Sequence, residues 1–80
     1  MDGKKLVKMA NEIATFFAAE PDRAAAIEGF AGHIKRFWEP RMRRELLALV
    51  DGGAATGLHE LAAAALAAHR TQLAPAPAAH

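Results

Sequence analysis

Four stretches of apolar residues spaced three and four apart, cut from one another by Pro21, Pro40 and the pair Gly52–Gly53, restrict this chain to short helices. Leu6, Met9, Ile13, Phe16 and Phe17 mark the first, expected over residues 4–19 with Asp2 as N-cap and Pro21 as the stop. Ile27, Phe30, Ile34, Phe37 and Trp38 mark the second, which follows a cap at Asp22. It ends near Phe37 or Trp38, because Pro40 pushes Glu39 out of the α region. Pro40 opens the third helix at a position where a missing N–H does no harm. Met42, Leu46, Leu49 and Val50 give its stripe, and the glycine pair ends it. The fourth is expected from an N-cap at Thr56 through Leu58, Leu61, Ala62, Ala65 and Leu66 to about Gln72. Its alanines lose little entropy on ordering, but its stripe is thin, so it is the element expected to detach most easily.

With no period-two alternation and no repeat, the fold class is all-α: a small compact bundle of about four short helices over residues 1–73. Residues 74–80 form a Pro/Ala tail expected to be disordered. Gly29 and Gly32 each cost the second helix about 1 kcal/mol against alanine. Either they let another helix approach closely, or they simply weaken the helix. Eighty residues allow one domain, and much of the 52% hydrophobic fraction is alanine, which buries little. An isolated monomer is therefore expected to be marginally stable, a deficit that a partner or self-association of the isolated chain would offset.

The residues for chemistry are sparse. The chain has no cysteine, tyrosine or serine, which excludes disulfides, thiol nucleophiles and cysteine-held zinc or iron–sulfur clusters. His33, His59, His69 and His80 form no i,i+4 pair and no HExxH pattern, so no metal ligand is assigned. Thr15, Thr56 and Thr71 lie in no nucleophile context, and no glycine-rich phosphate loop is present. Glu20 and Asp22 flank Pro21 as solvated turn carboxylates rather than an acid/base pair. The start, MDGKKLVKMANEIATFF, lacks a signal-peptide core, and the longest apolar run, LAAAALAA at 61–68, is too short to span a bilayer. No membrane partner and a cytoplasmic location are expected.

Only residues 35–44, KRFWEPRMRR, concentrate unusual features. Lys35 and Arg36 suit the C-terminus of the second helix, where cations gain about 0.3–1 kcal/mol from the dipole. Arg41, Arg43 and Arg44 sit at the start of the third, where the same dipole disfavours them. Charges that local stability opposes point to another role. Arg, Trp and Met are also the residue types enriched at interfaces. The competing reading is a plain core with a solvated charged face. A nucleic-acid role is disfavoured: net charge is only +1, the turn is Trp-Glu-Pro, and the third helix offers no Asn or Gln to read bases.

KLVKMANEIATFF at 5–17, then Pro21-Asp22-Arg23, His33 and RFWEPRMR at 36–43, resemble the delta subunit of NAD-dependent formate dehydrogenases over about residues 5–50. The resemblance implies a cytoplasmic multi-subunit enzyme. Its large subunit oxidises formate at a molybdenum (or tungsten) bis-guanine-dinucleotide cofactor, and iron–sulfur clusters and FMN pass the electrons to NAD. The delta subunit is the small one, without a cofactor-binding motif, so no cofactor is assigned to this chain. The role implied is assembly or stabilisation by docking on a larger formate dehydrogenase subunit, the catalytic one foremost. A maturation factor assisting insertion of the molybdenum cofactor is the alternative. No catalytic residue carries over. Arg36, Phe37, Trp38, Pro40, Arg41, Met42 and Arg43 match the family motif and are taken as partner contacts, with Phe37 and Met42 open to a core role instead.

Overall fold

In the computed structural model, which describes residues 2–75, five helices and no strand occur among the described residues. Helix α1 (Gly3–Phe17) is capped as its sequence requires: Asp2 Oδ1 accepts from Lys4 N–H at 3.0 Å. It ends two residues before the expected Ala19. The Ala19 and Glu20 N–H groups bond back only three residues, to Phe16 and Phe17, tightening the chain ahead of Pro21. Asp22 caps α2 (Arg23–Phe37) by accepting from Ala24 N–H at 3.0 Å. Trp38 leaves that helix in an extended conformation, and α3 (Pro40–Asp51) starts at the proline. Its end is a full Schellman motif: Gly53 takes φ +70°, its N–H bonds Val50 C=O, and Ala54 N–H bonds Leu49 C=O at 2.8 Å.

The expected fourth helix differs at both ends. It begins at Glu60, not after Thr56, giving α4 (Glu60–Ala68) with His59 as N-cap, its Nδ1 accepting from Leu61 N–H at 3.0 Å. Two causes are visible. Gly57 has φ +81°, which no helix accommodates. Asn11 of α1 also clamps the loop from the far side, donating to Gly57 C=O at 2.9 Å and accepting from His59 N–H at 2.7 Å. At the other end His69 leaves the helix (φ −115°, ψ 24°), and a separate turn, α5 (Arg70–Leu73), follows. That break turns Leu73 inward, where it is fully buried. An ion pair from Arg70 to Asp51, 2.9 Å between Nη1 and Oδ1, ties α5 to the end of α3. Residues 76–80 of the expected tail lie outside the described residues.

Helix α2 supplies the centre of the core with Phe30 and Ile34, both fully buried, and packs against α1, α4 and α5. The elements meet through small residues: Ala10 and Ala14 of α1, Ala26 and Ala31 of α2, and Ala62 and Ala65 of α4 are all buried. Alanine lets helix axes come close, and this fixes which face turns inward. The buried line of α1 is Leu6–Ala10–Ala14 with Val7, so the larger Met9 and Ile13 are only partly covered and Phe16 is left outside. In α2 the line through Ala26, Phe30 and Ile34 likewise leaves Ile27 half-buried and Phe37 exposed. Expectations that placed Phe16 and Phe37 on the inward stripes are corrected by this rotation. No polar or charged residue is buried among the described residues.

Candidate functional site

The corner between α2 and α3 separates the residues that sequence alone groups together. Trp38 is 5% exposed and belongs to the core, so it anchors the corner rather than facing outward. Its neighbour Phe37 is the reverse, at 66% exposed. Arg36, Pro40, Arg41 and Arg44 are on the surface, and Met42 packs half-buried against the core. Arg43 is partly covered, with its Nε buried and without a hydrogen-bond partner. Arg41 approaches Glu45 one turn on at 3.9 Å, an exposed pair worth a few tenths of a kcal/mol. The first turn of α3 holds no acid, and Glu39 makes no side-chain cap bond. The positive helix end is thus left facing arginines, with its first free N–H groups unsatisfied by any side chain.

Next to this corner lies a feature that the apolar spacing alone did not disclose. Phe16 and Phe17 of α1 meet edge-on, their ring centroids 5.0 Å apart. Phe17 faces His33 of α2 at 6.1 Å, and His33 lies against Phe37 at 4.8 Å. The rings form a continuous ladder across the two helices. Glu12, Ile13, Phe16, Phe17 and His33 line a shallow groove of about 350 Å³ on it. Gly29 makes the ladder possible: a Cβ there would meet the Phe17 ring at 2.6 Å, whereas a Cβ at Gly32 would meet nothing within 4 Å. Of the two readings of these glycines, close approach holds for the first and not for the second. The available signal was the offset of Met9, Ile13 and Phe16 from the Leu6–Ala10–Ala14 line.

Several other ionisable groups serve local structure. Arg23 at the start of α2 grips Glu60 at the start of α4 with both guanidinium nitrogens. Those hydrogen bonds hold the Glu60 carboxyl below its ordinary range, against an opposing desolvation, and raise the Arg23 guanidinium. Three histidines have structural neighbours: His33 in the ladder, His59 capping α4, and His69 against Gln72 Oε1 at 2.6 Å. No three His, Asp or Glu side chains converge among the described residues, so none of them builds a place for a metal ion. No described helix is long and apolar enough to cross a membrane.

The family model of the NADH-dependant formate dehydrogenase delta subunit, FdsD, matches residues 5–66. The chain belongs to this family. The match takes in α1, α2, α3 and most of α4, and so both the arginine corner and the aromatic ladder. It reaches farther than residue 50, where the motif resemblance ends. No curated protein and no solved structure matches the chain. A delta subunit implies partner subunits, and this chain carries its large exposed apolar side chains, Phe16 and Phe37, at the two ends of the ring ladder on the α1–α2 pair.

Proposed function

We propose that this chain is a non-catalytic subunit of a cytoplasmic formate dehydrogenase, acting in assembly or stabilisation by docking on a larger subunit, the catalytic one foremost. The observation that carries this reading is the exposure of Phe16 (74%) and Phe37 (66%) in a member of a subunit family. Two uncovered phenylalanines are a burden on a free 80-residue chain and an asset on a covered one. On this reading the molybdenum bis-guanine-dinucleotide cofactor, the iron–sulfur clusters, FMN and the NAD site belong to other subunits. This chain contributes surface and rigidity. On this reading the exposed motif residues Arg36, Phe37, Pro40 and Arg41 touch the partner directly. Trp38 and Met42 act by holding the corner in shape.

Co-purification tests the reading. A tagged catalytic subunit expressed together with this chain is expected to retain it through size-exclusion chromatography, and a chain that never travels with any formate dehydrogenase subunit refutes the proposal. A maturation factor draws support from one observation, the uncapped α3 terminus beside Arg41, Arg43 and Arg44, a chemistry that suits phosphate groups. Mass spectrometry of the isolated chain separates the two, since only the maturation factor carries bound pterin.

A further inference from the structure

Helix α4 is capped at its head by an unusual group. The side chains that serve best there, Ser, Thr, Asp and Asn, accept a backbone N–H through an oxygen that keeps a lone pair at any pH near neutral. Here the acceptor is Nδ1 of His59, 3.0 Å from the Leu61 nitrogen. A neutral imidazole has one accepting and one donating nitrogen, whereas an imidazolium has only donors. Accepting from Leu61 therefore requires the neutral ring with its proton on Nε2. Histidine is also the side chain whose ordinary titration falls between about pH 5 and 8.

No neighbouring side chain is free to take over the cap. Glu60 is the polar residue of the first turn, and both its oxygens lie on Arg23. Asn11 Oδ1 is taken by His59 N–H at 2.7 Å. The charges around the ring come from three elements. On α4 itself Glu60 stands next in the chain, and the charge of His59 is the last of the influences that lower its carboxyl. Across α1 the contact is Asn11, which is neutral, with Lys8 one turn before it and Glu12 next to it. From α2 the facing charge is Arg23, already engaged with Glu60. Residues 52–58 of the loop carry no charge, and His59 enters no ion pair among the described residues. An imidazolium formed here sits at the positive end of a helix, which opposes it, and beside Glu60, which offsets it.

The other end of α4 is built differently. His69 Nδ1 lies 2.6 Å from Gln72 Oε1, an oxygen that only accepts. The ring donates there as a neutral tautomer or as an imidazolium, and the helix dipole favours a cation at this end. We propose that His59 is a pH-sensitive cap: the neutral imidazole holds the head of α4 through Leu61 N–H, and the imidazolium releases that bond while the His69 end stays closed. Mild acid thus loosens the junction between the 52–59 loop and α4, the place where Asn11 ties both to α1. This device is independent of the docking role.

Ring titration and amide exchange by NMR on the full chain test it. As His59 takes up its proton between about pH 8 and 5, the Leu61 N–H signal is expected to move with the midpoint of the His59 ring. The protection factor of that amide, corrected for the intrinsic pH dependence of exchange, is expected to fall about fivefold, the loss of one N-cap bond. The Leu73 amide, bonded to His69 C=O at 3.0 Å, keeps its protection over the same range. His59→Asn supplies a capping oxygen that does not titrate, so its Leu61 amide stays protected in acid. A Leu61 signal that ignores the His59 titration overturns the proposal. So does an acid response of equal size in His59→Asn, which places the sensitive group elsewhere. Parallel loss of protection at Leu61 and Leu73 also overturns it, because that is general unfolding and not the release of one cap.

Discussion

Gly29 and Gly32 sit three residues apart in one helix with opposite surroundings, so replacing each by alanine isolates the effect of a single methyl group. At either position alanine stabilises an α-helix by about 1 kcal/mol relative to glycine. A Cβ at Gly32 meets nothing within 4 Å, so Gly32→Ala is expected to realise most of that gain, a rise in Tm of about 4–8 °C for a domain of this size. A Cβ at Gly29 would sit 2.6 Å from two carbons of the Phe17 ring, so the ring must leave its place. Overpacking of this kind costs about 1–3 kcal/mol, which cancels or exceeds the helical gain. Gly29→Ala is thus expected at or below the wild-type Tm, and at least about 4 °C below Gly32→Ala. Thermal melts followed at 222 nm give both values. Shifts of the His33 ring protons by NMR report whether the neighbouring Phe17 has moved. Equal stabilisation by the two substitutions, or an unmoved His33 signal in Gly29→Ala, refutes the close packing of Phe17 on Gly29.

Neighbouring aromatics at the corner should behave oppositely: Trp38→Ala loses about 3–5 kcal/mol and unfolds the isolated chain, while Phe37→Ala changes stability by under about 0.5 kcal/mol, both read by urea denaturation. Asn11→Ala removes both bonds to the 57–59 loop and is expected to cost about 1–3 kcal/mol, with faster amide exchange at His59. For Arg23→Ala the sign follows from Glu60, whose folded carboxyl is held below its unfolded value. The stability lost in the variant is present at neutral pH, above the unfolded carboxylate range, and disappears as acid protonates Glu60 in the fold. Melting curves of both proteins should therefore converge at low pH, and a gap that widens in acid would contradict the pairing. Because both side chains are more than half exposed, the gap at neutral pH should be small and should shrink with salt.

Helix punctuation was legible because it is local. Asp2, Asp22, Pro40 and Gly52–Gly53 act through their own backbone geometry, and each does in the fold what its chemistry requires. The start of α4 was not legible, because Asn11, 46 residues from Gly57, determines where that helix can begin. His69 was hidden for a similar reason, since its break serves the burial of Leu73 and the contact between Arg70 and Asp51. The inward faces of α1 and α2 follow the alanines and not the largest side chains. Ala10, Ala14 and Ala26 decide the rotation of α1 and α2, and the phenylalanines take what remains. Part of the candidate site was visible all the same. The arginine corner at 36–44 stands out for charges of the wrong sign at the start of α3, and that helix does lack both a first-turn acid and a side-chain cap. Phe16 was expected on an inward stripe, because periodicity assigns an aromatic to a core before packing shows which face is inside.

On the proposed docking role, the α1–α2 aromatic face is open in the free chain and covered in the enzyme complex. Hydroxyl-radical footprinting read by mass spectrometry measures this directly, with Trp38 as an internal control because it is buried in the chain's own core. Oxidation of Phe16 and Phe37 is expected to be high in the free chain and strongly suppressed in the purified complex, while Trp38 stays protected in both. Equal oxidation of Phe16 and Phe37 in the two states would refute docking through this face.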